Sequence, residues 1–184
     1  MSRIAIYIDG AYLDHILRDD FNLVKIDYSK LSQAVAGNIE ILRTYYYHCL
    51  PYKSATPTLP ESEKFSNMEK FLFALRRLQR YEIRLGRIAH RGIDKYGNPI
   101  FEQKRVDVLF STDLVSLSAT RQISHAALIC GDSDMIPAVQ VAKQNGVLIS
   151  LWCGTKNPPH QDLWDECDER NVITQEFIKN ILRP

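Results

Sequence analysis

The feature that most constrains this chain is residues 3–8, an almost unbroken apolar run of strand length that ends at Asp9-Gly10. A half-exposed strand alternates apolar and polar side chains, whereas a strand covered on both faces need not. The run therefore predicts a central parallel strand with helices on either side. It also meets a carboxylate instead of a small-residue cleavage site, so it reads as a first strand and not as a signal peptide.

The rest of the chain continues the alternation. Residues 12–18 predict a short helix with Leu13, Ile16 and Leu17 inward, and residues 28–35 a second, closed by Gly37-Asn38. Residues 41–49, rich in Tyr, Ile and Thr, predict a strand. A loop with three prolines over 51–60 precedes Phe65, Met68, Leu72, Leu75 and Leu78 at helical spacing. Tyr81, Ile83 and Leu85 alternate with Glu82 and Arg84, as in a strand. The turn residues Asp94, Lys95, Tyr96, Gly97, Asn98 and Pro99 then predict a protruding hairpin. A helix over 106–117, a buried strand over 126–130, a helix over 135–143 and a strand over 147–152 follow. A Pro158-Pro159 loop, an acidic stretch over 162–169, a short strand over 171–173 and a last helix end the sequence. Strand–helix alternation of this kind predicts an α/β fold: a three-layer α/β/α sandwich around a mostly parallel sheet, with a hairpin elaboration near residues 86–105. At 184 residues, and with no linker or repeat, the expectation is a single domain over 1–184.

Several classes are excluded. No apolar run is long enough to span a bilayer, so no membrane role is expected. Cys49, Cys130, Cys153 and Cys167 form no C-x-x-C pair and read as reduced thiols of a cytoplasmic protein. The glycines are too dispersed for a phosphate-cradling loop, and neither H-E-x-x-H nor G-x-S-x-G occurs. Net charge is +1, yet residues 64–105 hold eleven Lys and Arg against four Asp and Glu, which leaves the remainder acidic. Such a chain suits a bipolar nucleic-acid protein and excludes a uniformly basic one.

In open parallel sheets, ligands bind beyond the carboxyl ends of the strands. Asp9 follows the first strand there, and Asp132 with Asp134 follows the strand over 126–130. Between them, Val106, Leu109, Phe110, Leu114 and Leu117 form one apolar arc of a helix, with Asp113 inside it and Asp107 on its edge. A buried carboxylate is costly unless it is paired or holds a metal, and gathered carboxylates are what Mg²⁺ or Mn²⁺ requires. Simpler roles fit some of the same positions: Asp9 and Asp134 stand where helix caps stand, and Asp107 where a first-turn acid meets the helix dipole. The spacing predicts that Asp9, Asp113 and Asp132 converge in one pocket.

Ile-Asp-Gly at 8–10, Arg-Val-Asp-Val-Leu-Phe-Ser-Thr-Asp-Leu at 105–114 and Ile-Cys-Gly-Asp-Ser-Asp-Met-Ile-Pro at 129–137 resemble the three motifs of the NYN domain. The similarity points to the LabA-like branch of the PIN-fold nucleases and spans most of the chain, its closing segment over 163–173 included. The resemblance implies a PIN-like fold and a metal-dependent ribonuclease. Asp9, Asp113 and Asp132 would be catalytic, and Asp9, Asp107, Asp113, Asp132 and Asp134 would hold Mg²⁺ or Mn²⁺. The implied partner is RNA, single-stranded or structured, with homo-oligomerisation left open. One departure stands out: many relatives have Asn three residues after the first Asp, where this chain has Tyr12. That residue favours the alternative, a catalytically weak NYN domain acting as an RNA- or protein-binding regulatory module. A haloacid-dehalogenase-type phosphatase would want a second acid in Asp9-Gly10-Ala11, which is missing.

For RNA contact the expected residues are Arg84, Arg87, Arg91, Lys95, Lys104 and Arg105, which flank the hairpin with Tyr81, Tyr96 and Phe101 among them. Cations meet phosphates while rings stack on bases, a combination that suits a single strand.

Overall fold

In the computed structural model, which describes residues 2–97 and 99–183, seven strands form one sheet. They are β1 (Arg3–Asp9), β2 (Glu40–Cys49), β3 (Tyr81–Ile93), β4 (Pro99–Lys104), β5 (His125–Ile129), β6 (Leu148–Cys153) and β7 (Glu169–Val172), in the spatial order β4-β3-β2-β1-β5-β6-β7. All neighbours run parallel except β3 and β4. The chain builds outward from β1 through β2 to β3, then returns to place β5 on the other side of β1. The topological switch therefore lies between β1 and β5, where their carboxyl ends open a crevice.

The apolar run at the start of the chain occupies the centre of the sheet, as its composition requires. Ile4, Ile6 and Ile8 face one helical layer, and Ala5 and Tyr7 the other. The first layer holds α1 (Gly10–Asp19), α2 (Tyr28–Ala36), α3 (Leu59–Arg76) and α7 (Gln175–Ile181); the second holds α4 (Val106–Ala119), α5 (Ile136–Gln144) and α6 (Gln161–Glu166). The tyrosines of β2 obey the same period of two: Tyr46 faces the first layer, and Tyr45 and Tyr47 the second.

Local chemistry explains where elements begin. The helix α3 starts earlier than the hydrophobic spacing predicts, because Thr58 and Glu61 form a capping box and Pro60 is tolerated in the first turn. Beyond its pairing with β2, which ends at Gly86, strand β3 continues past the carboxyl edge and pairs antiparallel with β4. This is the expected hairpin; of its expected turn residues, Asn98 lies outside the described residues. At its root, a Cβ on Gly86 would lie 2.6 Å from the Lys104 carbonyl and from Val106, so only glycine admits this approach. Arg105 then takes a left-handed φ of 76° to turn the chain into α4. The four cysteines are buried and unpaired, and no helix among the described residues is long and apolar enough to cross a membrane.

Candidate functional site

Four acids meet at the switch point. Asp9 ends β1 and caps α1: its Oδ1 accepts from the amides of Ala11 (3.0 Å) and Tyr12 (3.2 Å). Asp132 follows β5 and caps a single 3₁₀ turn, Ser133–Met135, its Oδ1 accepting from the Asp134 amide at 3.0 Å. In both residues Oδ2 makes no hydrogen bond among the described residues. The cap expected of Asp134 thus falls to Asp132, since a 3₁₀ turn precedes α5 and begins at Ser133, two residues before the start that the hydrophobic pattern indicates. Asp107 enters from the first turn of α4. Asp107, Asp132 and Asp134 each present a carboxylate oxygen within 4.8 Å of the others.

The electrostatics fit such a gathering. Burial pushes the Asp9 carboxyl up; its two backbone hydrogen bonds pull it down, and the charges of Asp107 and Asp132 raise it again. Asp107 is likewise raised, first by burial and then by Asp132 and Asp134. None of the four carboxylates has an ion pair among the described residues. Three exposed or half-exposed carboxylates with mutually close oxygens are a hard, all-oxygen donor set that suits Mg²⁺ or Mn²⁺.

Asp113 is not among them, and the expected convergence of Asp9, Asp113 and Asp132 is corrected here. Its Oδ2 accepts from the Tyr47 hydroxyl at 2.9 Å and from Arg84 Nε at 2.9 Å, and its Oδ1 from Arg84 Nη2 at 3.4 Å. The reason lies in the direction of α4. The helix leaves the carboxyl edge and runs back towards the start of β5, so Asp113 sits about 9 Å further along the axis than Asp107. The same pairing withdraws Arg84 from the expected RNA surface. Its guanidinium also donates to Glu82 at 2.6 Å and lies over the Tyr45 ring at 5.2 Å.

The other expected cations stay with the hairpin. Lys104 and Arg105 immediately precede Val106 and Asp107, and Arg87 pairs in register with Lys104. Arg91 binds Glu102 across the strands, and the Lys95 ammonium lies over the exposed Tyr96 ring at 4.9 Å.

Asp9 and Asp132 also border a groove of about 540 Å³ that the sequence reading overlooked. Asp9, Tyr12 and Asp132 share its lining with His15, Lys156, Asn157 and His160. The rule that singles out Asp9 and Asp132 applies equally to the loop after β6, because loops that follow parallel strands gather at one edge. Tyr12 ties two of its loops together: its hydroxyl donates to the Asn157 carbonyl at 2.7 Å, and its ring closes on Gly131, where a Cβ would lie 2.6 Å away.

Comparison with known proteins bears on the fold and the family. Across 99% of this chain and 96% of its own, a protein of unknown function from Vibrio parahaemolyticus RIMD 2210633 has a similar crystal structure, with a TM-score of 0.67 at 17% identity, which speaks to the fold alone. An uncharacterised protein of Sinorhizobium fredii (strain NBRC 101917 / NGR234) is 35% identical over 80 residues. That match covers 41% of this chain and 37% of the relative, so the likeness reaches well under half of either. The NYN domain profile matches residues 3–174, from the first strand to the cap of the last helix, and on that match the chain belongs to the NYN domain family, within the PIN-like nuclease superfamily.

Proposed function

We propose that this NYN domain is a divalent-metal-dependent ribonuclease that hydrolyses RNA phosphodiesters at the Asp107–Asp132–Asp134 cluster. The observation that carries the reading is the meeting of these carboxylates at the switch point of the sheet with no cation among the described residues paired to them. Like charges placed so close resist joint ionisation unless something positive joins them.

Asp107, Asp132 and Asp134 would hold Mg²⁺ or Mn²⁺, with Asp9 at the margin. When bound, such a cation supplies Lewis-acid stabilisation of phosphodiester charge and a lowered pKa for the attacking water. The protein's own part is orientation. Amide bonds to Oδ1 fix the Asp9 and Asp132 carboxylates and leave each Oδ2 available. The left-handed Arg105 sets the first turn of α4 against them. Arg87, Lys104 and Arg105 at the hairpin root, with Lys95 at its tip, would draw the RNA backbone towards the acids, while Arg84 is held by Asp113 and Glu82 and takes no part.

The decisive experiment is Asp132→Asn. Asn preserves size and one carbonyl oxygen, so the fold should survive; cleavage in Mg²⁺ or Mn²⁺ should fall by orders of magnitude while RNA binding persists. A folded variant that cleaves at the parental rate would overturn the assignment. One observation favours the alternative of a non-cleaving, RNA-binding NYN module: Tyr12 stands next to the acids with its hydroxyl committed to Asn157, so its side chain offers them no polar group. Tight RNA binding by the parent protein without cleavage in either metal would select that reading.

A further inference from the structure

The loop between β6 and α6 is fastened far more tightly than a connection of its length needs. Asp20, just beyond α1, accepts from the amides of Thr155 (2.7 Å) and Lys156 (3.0 Å). Lys156 Nζ donates to the Asp19 carbonyl at 2.5 Å, and Asn157 Nδ2 to the Asp19 carboxylate at 3.0 Å. The Tyr12 hydroxyl holds the Asn157 carbonyl, and the His160 amide donates to the Gly131 carbonyl at 2.9 Å, which joins this loop directly to the one bearing Asp132. A Cβ on Gly154 would lie 2.6 Å from the Asp20 carboxylate, so the close approach is built into the sequence.

These bonds hold Lys156 and His160 in fixed places while leaving their side chains exposed, and the exposed His15 of α1 lines the same groove. The result is a preorganised wall of one ammonium and two imidazoles that shares a groove with Asp9 and Asp132. Exposed donors on a rigid frame lose little entropy on binding a phosphate. Carboxylates in a groove repel a polyanion, and donors that share the groove can hold it there.

We infer that this groove is a subsite for single-stranded RNA, in which His15, Lys156 and His160 hold the phosphate next to the one presented to the acids. The proposal rests on the ribonuclease reading and deepens it: the hairpin root serves one side of the cluster and the groove the other, so a strand crosses the acids between two cationic holds. Lys156 supplies charge and two free N–H donors. The imidazoles supply directional donors; the His160 Nδ1 accepts from the Asp162 amide at 3.3 Å and lies 3.6 Å from the Asp162 carboxylate, which leaves Nε2 for the phosphate.

The test is binding of a fluorescent hexaribonucleotide in EDTA, where divalent-dependent cleavage is absent, to the parent protein and to a His15→Ala/Lys156→Gln/His160→Ser variant. Gln can still donate to the Asp19 carbonyl, and Ser can still cap α6 in place of the His160 ring, so the fold should hold. The variant should bind about tenfold more weakly and with a flatter salt dependence, as fewer counterions are released. Equal affinity and equal salt slope in a folded variant would overturn the subsite and leave the ribonuclease reading standing on cleavage by the parent. A parent protein that neither binds nor cleaves RNA would overturn both. Should the triple variant unfold, the His15→Ala/His160→Ser pair, both positions exposed, keeps the comparison with at least a severalfold loss expected and parental affinity again overturning the subsite.

Discussion

Asp107 and Asp113 stand on the same helix, yet the protein treats them in opposite ways. Asp113 is taken up by the fold's own chemistry: a guanidinium and a phenol satisfy both of its oxygens, and its side chain is 18% exposed. Asp107 faces other carboxylates and meets no cation of the protein among the described residues. A compensated acid belongs to the architecture, because its charge is already answered. An uncompensated one near others of its kind is unfavourable by itself and waits for something from outside. The difference comes from the axis of α4, whose first turn lies at the carboxyl edge and whose middle lies against β2 and β3.

Cleavage should separate the two most widely. Asp107→Asn should cost orders of magnitude in divalent-dependent RNA cleavage, whereas Asp113→Asn in a folded protein should stay within about tenfold of the parent. Equal losses in single-turnover assays would break the distinction.

Next in size is the response to metal. A ligand that binds only the folded state stabilises it by about 2.7 kcal/mol at a hundredfold excess over its dissociation constant. Titrating Mg²⁺ or Mn²⁺ should therefore raise the melting temperature of the parent and of Asp113→Asn, but not that of Asp107→Asn. Melting curves of the parent that ignore millimolar metal would argue against a metal site.

The order should reverse in metal-free stability. Asp113→Ala removes the acceptor of Arg84 and Tyr47 and should cost about 1–3 kcal/mol in chemical denaturation. Asp107→Asn removes a charge from a repelling cluster and should be neutral or slightly stabilising. A destabilised Asp107→Asn would mean that this carboxylate has a partner after all.

The smallest effect expected is in pH dependence. Burial raises the Asp14 carboxyl to about 6, and raises Asp9 and Asp107 above the usual carboxylate range. A carboxyl with a raised folded-state pKa binds protons more tightly when folded, so its contribution is fully present below the unfolded value and is lost as pH rises through the folded one. Without metal, the stability contributed by these groups should decline from about pH 4 to beyond pH 6. With metal bound to the cluster, the part due to Asp107 should shrink and the Asp14 part persist. An Asp14→Asn protein with the parental pH profile would show that Asp14 contributes nothing to the slope.

Much of this was legible in the sequence because it depends on local pattern. An apolar run that does not alternate fits burial on both faces, and β1 lies at the sheet centre. The period of helix and strand placed most elements to within a few residues, except the start of α3, where capping chemistry outranked hydrophobic spacing, and α6, which lies in what read only as an acidic stretch. Motif order put Asp9, Asp132 and Asp134 at one edge, since residues that follow parallel strands share that edge in any such sheet. The tertiary structure alone decided which acid is answered and which is left facing its own kind. The ion pair of Arg84 with Asp113 joins β3 to α4 across a layer, and nothing in the spacing of either segment specifies it. The groove of His15, Lys156 and His160 likewise joins α1 to the loop after β6, side chains far apart in the chain that only the folded sheet brings to one groove. Periodicity reports which face of an element is covered; it does not report which charge will be waiting there, because that depends on the partner element and not on the residue's own neighbours.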